Sequence, residues 1–321
     1  MTRRLLVTVA DENYLEPARQ LFASVHFEAG WSGDLMLLAH EVPDEQLEPF
    51  RERGILVRGV DAWHDRAPSG YHASPILSKF FLFTPEFREW DRVLYLDGDM
   101  MFWASLDRLT RPGGFSAISD RTDLAWQFRN PAEGTAERQD ELRQRYDLRR
   151  EAFNTGLMAF GTDVIRDDTL EELQQLYLRY QGLHANADQG VLNLYFYERW
   201  RRVPDFYAAL RHVPARHFFV PKHEFRTIGR HFVGHPRVWH EENPWHPEWK
   251  RSLARFDRID ASRPQPPARV WSEGEIRRYW AWLHARRVLF LSLGPLGPAW
   301  QRLRNSPPIR RLRGAWRKLR K

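Results

Sequence analysis

The chain has 321 residues, 42% of them hydrophobic, and a formal net charge of +7; that length and apolar content suit one α/β domain with an appendage and exclude wholesale disorder. It has no cysteine, which excludes disulfides and thiolate metal sites, so any metal must be held by oxygen or imidazole. Nine of the 49 basic residues lie in Gln301–Lys321, which holds no acid, so the basic character belongs to the tail and the rest is close to neutral.

The opening MTRRLLVTVADENY has two arginines and a short apolar run followed by acidic, polar residues, and reads as a first strand without an export signal. Leu5–Ala10 predicts a strand buried on both faces, and a helix follows from Leu15 to Val25, with Pro17 in its first turn. Leu35–His40, a polar helical stretch ending at Gly54, and Ile55–Val60 continue the alternation, which predicts a mostly parallel, doubly wound sheet. An aromatic helical segment, Ser74–Phe83, precedes a further buried strand at Arg92–Leu96. Thr169–Tyr180 predicts a helix with Leu170, Leu173, Leu176, Tyr177 and Tyr180 on one face and a capping box of Thr169 with Glu172. From about Arg201 the chain is rich in Pro, His and Trp, and SRPQPP reads as an extended linker. The expected division is therefore a compact domain over 1–262 and a basic tail over 263–321.

In open sheets of this kind ligands sit beyond the carboxyl ends of the strands, near a topological switch. Asp97-Gly98-Asp99 leaves a buried strand at such a point. Two carboxylates one residue apart suit Mg²⁺ or Mn²⁺, which can bridge phosphates, and Gly98 lets a ligand approach the backbone. A solvated turn is the plainer alternative for the isolated triplet.

Together with its neighbours, Leu96-Asp97-Gly98-Asp99-Met100 resembles glycosyltransferase family 8, the group that includes glycogenin and bacterial lipopolysaccharide galactosyl- and glucosyltransferases. Matching segments follow in order over Leu5–Trp239. The resemblance implies a GT-A type nucleotide-diphosphosugar transferase domain. It places the uridine of the donor on Thr8, Asp11, Asn13 and Tyr14, where Tyr14 can stack on a base and Asp11 can accept from an imide; a helix-capping acid and a packing aromatic are the alternatives. Lys79 is similar to a base that faces the donor phosphates, or else snorkels to the surface. Asp120 is similar to a carboxylate on the donor sugar. Phe153-Asn154-Thr155-Gly156-Leu157 resembles the Phe-Asn-x-Gly signature, with Asn154 and Thr155 expected at the sugar. Asp188-Gln189 resembles the Asp-Gln motif and supplies the catalytic candidates, although both residues could instead cap a helix. His231-Phe-Val-Gly-His-Pro-Arg-Val-Trp239 resembles His-x-x-Gly-x-x-Lys-Pro-Trp. It implies His231 as third metal ligand beside Asp97 and Asp99, with His235 and His240 as alternatives, and Gly234 and Arg237 at the diphosphate. Two departures stand out: Arg237 replaces Lys and Val238 replaces Pro.

The resemblance implies a retaining, Mn²⁺- or Mg²⁺-dependent hexosyltransferase that moves glucose or galactose from a UDP-sugar to a hydroxyl of an envelope glycolipid or oligosaccharide. A UDP-sugar-binding module without turnover and a glycogenin-like self-glycosylating protein are the alternatives. The tail alternates its cations with Leu303, Leu312, Trp316 and Leu319, which suits an anionic membrane surface better than nucleic acid. The apolar stretch Val288–Trp300 is too short and too rich in Gly and Pro to span a bilayer. The expected location is the cytoplasm, peripheral on the inner face of the membrane.

Overall fold

The computed structural model describes residues 2–64, 73–111, 113–129, 132–210 and 227–292. The tail Gln301–Lys321, residues 293–300 before it, and His212, His217 and His223 lie outside the described residues. Two compact units divide the chain, Met1–Val270 and Trp271–Lys321.

The first unit runs past the boundary expected at Ser262 because the proline-rich segment is tied down. Ala268 N–H donates to Glu28 O (2.9 Å), Ser105 N–H donates to Arg269 O (2.8 Å), and Pro267 sits where any side chain at Gly30 would collide with it. The stretch is extended, as its prolines dictate, but it is a strap rather than a free linker.

Strand β1 (Arg4–Ala10) is buried on both faces: Leu5, Leu6, Val7 and Thr8 have no exposure. Asp11 then caps a 3₁₀ turn, Glu12–Tyr14, its Oδ1 accepting from Tyr14 N–H (3.1 Å), and α1 (Leu15–Ser24) follows. A π-helical turn, Val25–Ala29, prolongs it to Gly30, whose φ of 63° closes the helix. Next come β2 (Asp34–His40), α2 (Asp44–Arg51), β3 (Leu56–Val60), α3 (Ala73–Leu77) with a 3₁₀ continuation Ser78–Phe83, β4 (Arg92–Leu96), β5 (Met100–Phe102) and β6 (Phe115–Asp123). After them come α4 (Leu124–Gln127), α5 (Ala136–Arg145), β7 (Glu151–Gly161), α6 (Thr169–Arg179), α7 (Ala187–Tyr195), β8 (Trp200–Val203), β9 (Gly229–His231) and α8 (His246–Leu253).

The main sheet has seven strands in the order β3-β2-β1-β4-β7-β6-β8. All its pairings are parallel except those of β7 with β4 and β6, so β7 alone runs against the rest. The fold is α/β and mostly parallel, as expected. The switch point falls between β1 and β4, because the chain grows outward from β1 through β3 and then returns to β1's other side. The reversal of β7 matters for function. Leu157 pairs with Leu96, so the residues that begin β7 lie at the edge where β4 ends.

Beneath that edge an aromatic core fixes β6 and β7. Phe115 stacks on Phe196 (3.8 Å between centroids) and Phe83 on Phe160 (4.9 Å). The capping box expected at Thr169 does not form. Thr169 is already helical, and its Oγ1 accepts from Arg166 N–H (2.8 Å), while Glu172 pairs with the Arg166 side chain.

In the second unit, α9 (Glu273–Ser292) begins with a capping box that does form. Glu275 N–H donates to Ser272 Oγ (3.2 Å) and Ser272 N–H donates to Glu275 Oε2 (2.8 Å). Among the described residues no helix is long and apolar enough to cross a membrane.

Candidate active site

A cleft opens over the switch point, and its walls carry most of the residues singled out in the sequence. Asp11, Asn13 and Tyr14 line it from the end of β1, Asp97, Gly98 and Asp99 from the end of β4, and Asp120 from β6. Asn154 and Thr155 line it from the start of β7, Asp188 and Gln189 from α7, and Lys79, His231 and Arg237 complete it. Thr8 and Gly234 do not line it. Thr8 lies within β1, fully buried, with no hydrogen bond to its hydroxyl; Gly234 serves a turn at φ 85°.

Asp97, Asp99 and His231 converge, with ligand atoms all within 4.8 Å of one another. The register of a small second sheet brings this about. β5 leaves directly from Asp99 and pairs antiparallel with β9, setting Met100 opposite His231, and Phe232 N–H donates to Asp99 O (3.0 Å). His231 Nε2 thus lies 2.9 Å from Asp99 Oδ1 and 3.6 Å from Asp97 Oδ2. His235 and His240 pack against each other (5.9 Å) and take no part in the cluster.

Gly156, rather than Gly98, is the glycine this cluster depends on. A Cβ at 156 would stand 2.4 Å from His231 Cε1 and 2.8 Å from Asp97 Oδ2, whereas one at 98 would meet nothing closer than 3.5 Å. Two carboxylates and an imidazole, buried or half-buried around a space that only glycine leaves open, fit a hard divalent cation such as Mn²⁺ or Mg²⁺.

Cations surround the carboxylates. Lys79 Nζ lies 3.0 Å from Asp97 Oδ1 and 2.9 Å from Asp188 Oδ2, and Arg237 Nη1 donates to Asp99 Oδ2 (2.9 Å). Burial opposes the charge on Lys79, but Asp188 and Asp97 outweigh it and raise its pKa, so it is a buried ammonium and not a snorkelling one. Burial also opposes charge on Asp99, yet His231, Arg237 and Lys79 hold its carboxyl below the usual range; for His231, Asp99 and Asp97 overcome burial and raise the imidazole. Cation binding requires a neutral imidazole, so proton and metal compete for His231.

Beside the cluster, amides and their carboxylate partners line the cleft. Asn154 Nδ2 donates to Asp120 Oδ1 (3.1 Å), and Asn154 Oδ1 accepts from Gly156 N–H (2.9 Å). Gln189 Oε1 accepts from Thr155 N–H (3.3 Å), and Thr155 Oγ1 donates to Asp188 Oδ2 (2.7 Å). Asp188 and Gln189 are therefore not helix caps: α7 starts at Ala187, and their side chains turn onto β7. Asp11 does cap its turn while also lining the cleft, and Tyr14 packs edge-on against Trp239 (5.6 Å).

Three residues went unnoticed in the sequence. Tyr95 donates from its hydroxyl to Asp97 Oδ1 (2.6 Å); the two-residue spacing on a strand was a usable sign. Gln127 joins Asp120 to Gln189, from a short helix with no pattern to betray it. Asn193 staples α7 to β7, its amide bonded to both backbone groups of Phe153 and to Gln189 O (each 2.8 Å).

A switch-point cleft in a mostly parallel α/β sheet, with clustered acids where a central strand ends, defines the GT-A class of glycosyltransferases. Within that class the chain belongs to glycosyltransferase family 8: the model of glycosyl transferase family 8 matches residues 5–243. It is 32% identical over 125 residues to glycosyltransferase GlyB of Streptococcus pneumoniae serotype 4, covering 39% of this chain and 26% of that one. It is 24% identical over 195 residues to galactinol synthase 5 of Arabidopsis thaliana, covering 57% and 56%. The chain thus spans about a quarter and about half of these relatives. Among solved structures, galactosyltransferase LgtC in complex with donor and acceptor sugar analogs aligns with a TM-score of 0.55 at 16% identity, covering 82% of this chain and 97% of that one. Glycosyltransferase GlyE of Streptococcus pneumoniae TIGR4 gives 0.53 at 16%, covering 80% and 63%. At such identities the likeness is one of fold.

Proposed function

We propose that this glycosyltransferase moves glucose or galactose from a UDP-sugar to a hydroxyl of a glycolipid or oligosaccharide acceptor, with Mn²⁺ and with retention of anomeric configuration. The observation that carries this reading is the convergence of Asp97, Asp99 and His231 around the gap at Gly156, at the switch point. These three residues would hold the cation, which when bound supplies positive charge to the departing diphosphate. Lys79 and Arg237 add fixed positive charge beside it. Tyr14, with Asp11 and Asn13, offers the uridine a ring to stack on and polar groups to bond. Asp120 accepts from Asn154, Thr122 and Gln127, which leaves about one of a carboxylate's four acceptor positions for a sugar hydroxyl.

Gln189 holds an amide at the sugar's side of the cleft, and amides are poor nucleophiles. The acceptor hydroxyl is therefore assigned attack from the face the diphosphate leaves, with its proton passing to the diphosphate. The basic tail is assigned to an anionic membrane surface on the cytoplasmic side, at roughly 1 kcal/mol per cation near that surface. Release of UDP from UDP-glucose or UDP-galactose with Mn²⁺, abolished by Asp99→Asn, is the expected result. UDP binding without metal-dependent turnover would overturn the reading in favour of a binding module, and hexose added to the intact protein mass would turn it toward self-glycosylation.

A further inference from the structure

The amide of Gln189 is oriented by a relay whose direction is fixed at both ends. At one end Thr155 N–H can only donate, and it does so to Gln189 Oε1 (3.3 Å). That leaves Gln189 Nε2 to donate onward, to Gln127 Oε1 (3.0 Å). Gln127 must then present its own nitrogen to the far side, where Nε2 donates to Asp120 Oδ2 (3.1 Å) and Thr122 Oγ1 (3.2 Å). The chain ends at the Asp120 carboxylate, which also accepts from Asn154 Nδ2 and Thr122 Oγ1. Flipping either amide would set nitrogen against N–H at Thr155 or oxygen against carboxylate at Asp120. Gln127 is buried at 0% exposure and does not line the cleft, so a mismatch at its amide would go unrepaired. α4 fixes Gln127 in turn, since Asp123 Oδ1 caps that helix by accepting from Trp126 N–H (2.9 Å).

From this geometry we propose that Gln127 is a positioning residue for glycosyl transfer, holding the Gln189 amide in one rotamer and one orientation beside the donor sugar. The proposal rests on the reading of Gln189 given above and adds a residue that never touches substrate. Its action goes through Gln189 and reaches back to Asp120, so the group that accepts from the sugar and the group beside the reacting carbon are set by one rigid relay.

The test uses donor hydrolysis, which needs no identified acceptor: a water oxygen bonds the anomeric carbon, the bond from that carbon to the diphosphate oxygen breaks, and UDP, free hexose and one proton result. Gln127→Met keeps the volume and removes every hydrogen bond; Gln127→Glu keeps the acceptor for Gln189 and removes the donor for Asp120. Each is expected to lower kcat for UDP release about tenfold, with KM for the UDP-sugar and Kd for UDP changed less than about twofold. In a Gln189→Ala background the same substitutions are expected to cost nothing further. An unchanged kcat, or an equal loss in both backgrounds, would overturn the relay. Gln189→Ala with full turnover would instead overturn the assignment of Gln189 itself, whatever Gln127 does. Should both Gln127 variants fail to fold, the unmutated protein decides: slow exchange of both glutamine side-chain amide protons is expected, and fast exchange overturns the proposal.

Discussion

The two walls of the cleft solve their electrostatics in opposite ways. Around Asp99 each partner is ionic: His231, Arg237 and, through Asp97, Lys79 trade charge with carboxylates at about hydrogen-bond distance. Around Gln189 the partners are neutral amides and a backbone N–H, with Asp120 as the terminal acceptor. Ion pairs are weakly directional, so the charged wall can exchange a proton for a divalent cation and rearrange. An amide relay has a polarity that cannot be reversed without orphaning buried groups, so the neutral wall is held in one arrangement. Lys79, Asp188 and Thr155 form the seam between the two.

The comparison breaks most sharply at the charged wall. Chelation, or Asp99→Asn, is expected to reduce UDP release at least about a hundredfold and to remove the Mn²⁺-dependent rise in melting temperature with UDP. Gly156→Ala attacks the same wall without touching its charge. The added methyl displaces His231 and Asp97 from their shared space, and turnover should fall by on the order of a hundredfold, with the chain still folded by circular dichroism. Lys79→Met tests the seam, where removing a buried cation strands Asp97 and Asp188. Chemical denaturation should show a loss of about 3–5 kcal/mol, and Asp188→Asn added to it should recover part of that.

A separate effect is read by pH at His184, which also lines the cleft. His184 stacks on Tyr177 (5.3 Å), and burial holds its pKa at about 4 against an ordinary 6.5. The folded value lies below the unfolded one, so the unfolded chain binds more protons within that window. This contribution is whole above pH 6.5 and is lost as pH falls toward about 4, by on the order of 3 kcal/mol. Denaturant midpoints at about pH 7 and about pH 4.5 should therefore converge in His184→Asn relative to the unmutated protein, apart from the titration both share.

Much of this was legible beforehand, for a definite reason. β1, β2 and β4 are parallel strands buried on both faces, which forces continuous apolar runs, and the acids that follow them mark strand ends. Asp97, Asp99 and His231 were readable because an acidic pair at a strand end and a histidine in a spaced motif carry their chemistry in their residue types. Gln127 was not, and Gly156 was readable only as the glycine of a signature, not for the space it keeps open. The steric need at Gly156 comes from His231, far away along the chain, and the work of Gln127 comes from partners on β6 and α7. The strap at Ser262–Val270 misled because proline content reports backbone shape and not what the backbone packs against.

By itself, then, the sequence determined the alternation of strand and helix, the order of the motifs and the kinds of ligand atoms on offer, since these depend on local periodicity and side-chain chemistry. Only the tertiary structure decided that β7 runs backwards, that His231 and not its neighbours reaches the carboxylates, and which way the glutamine amides face. Those outcomes depend on strand register and on buried groups satisfying one another across long separations, and no local pattern encodes them.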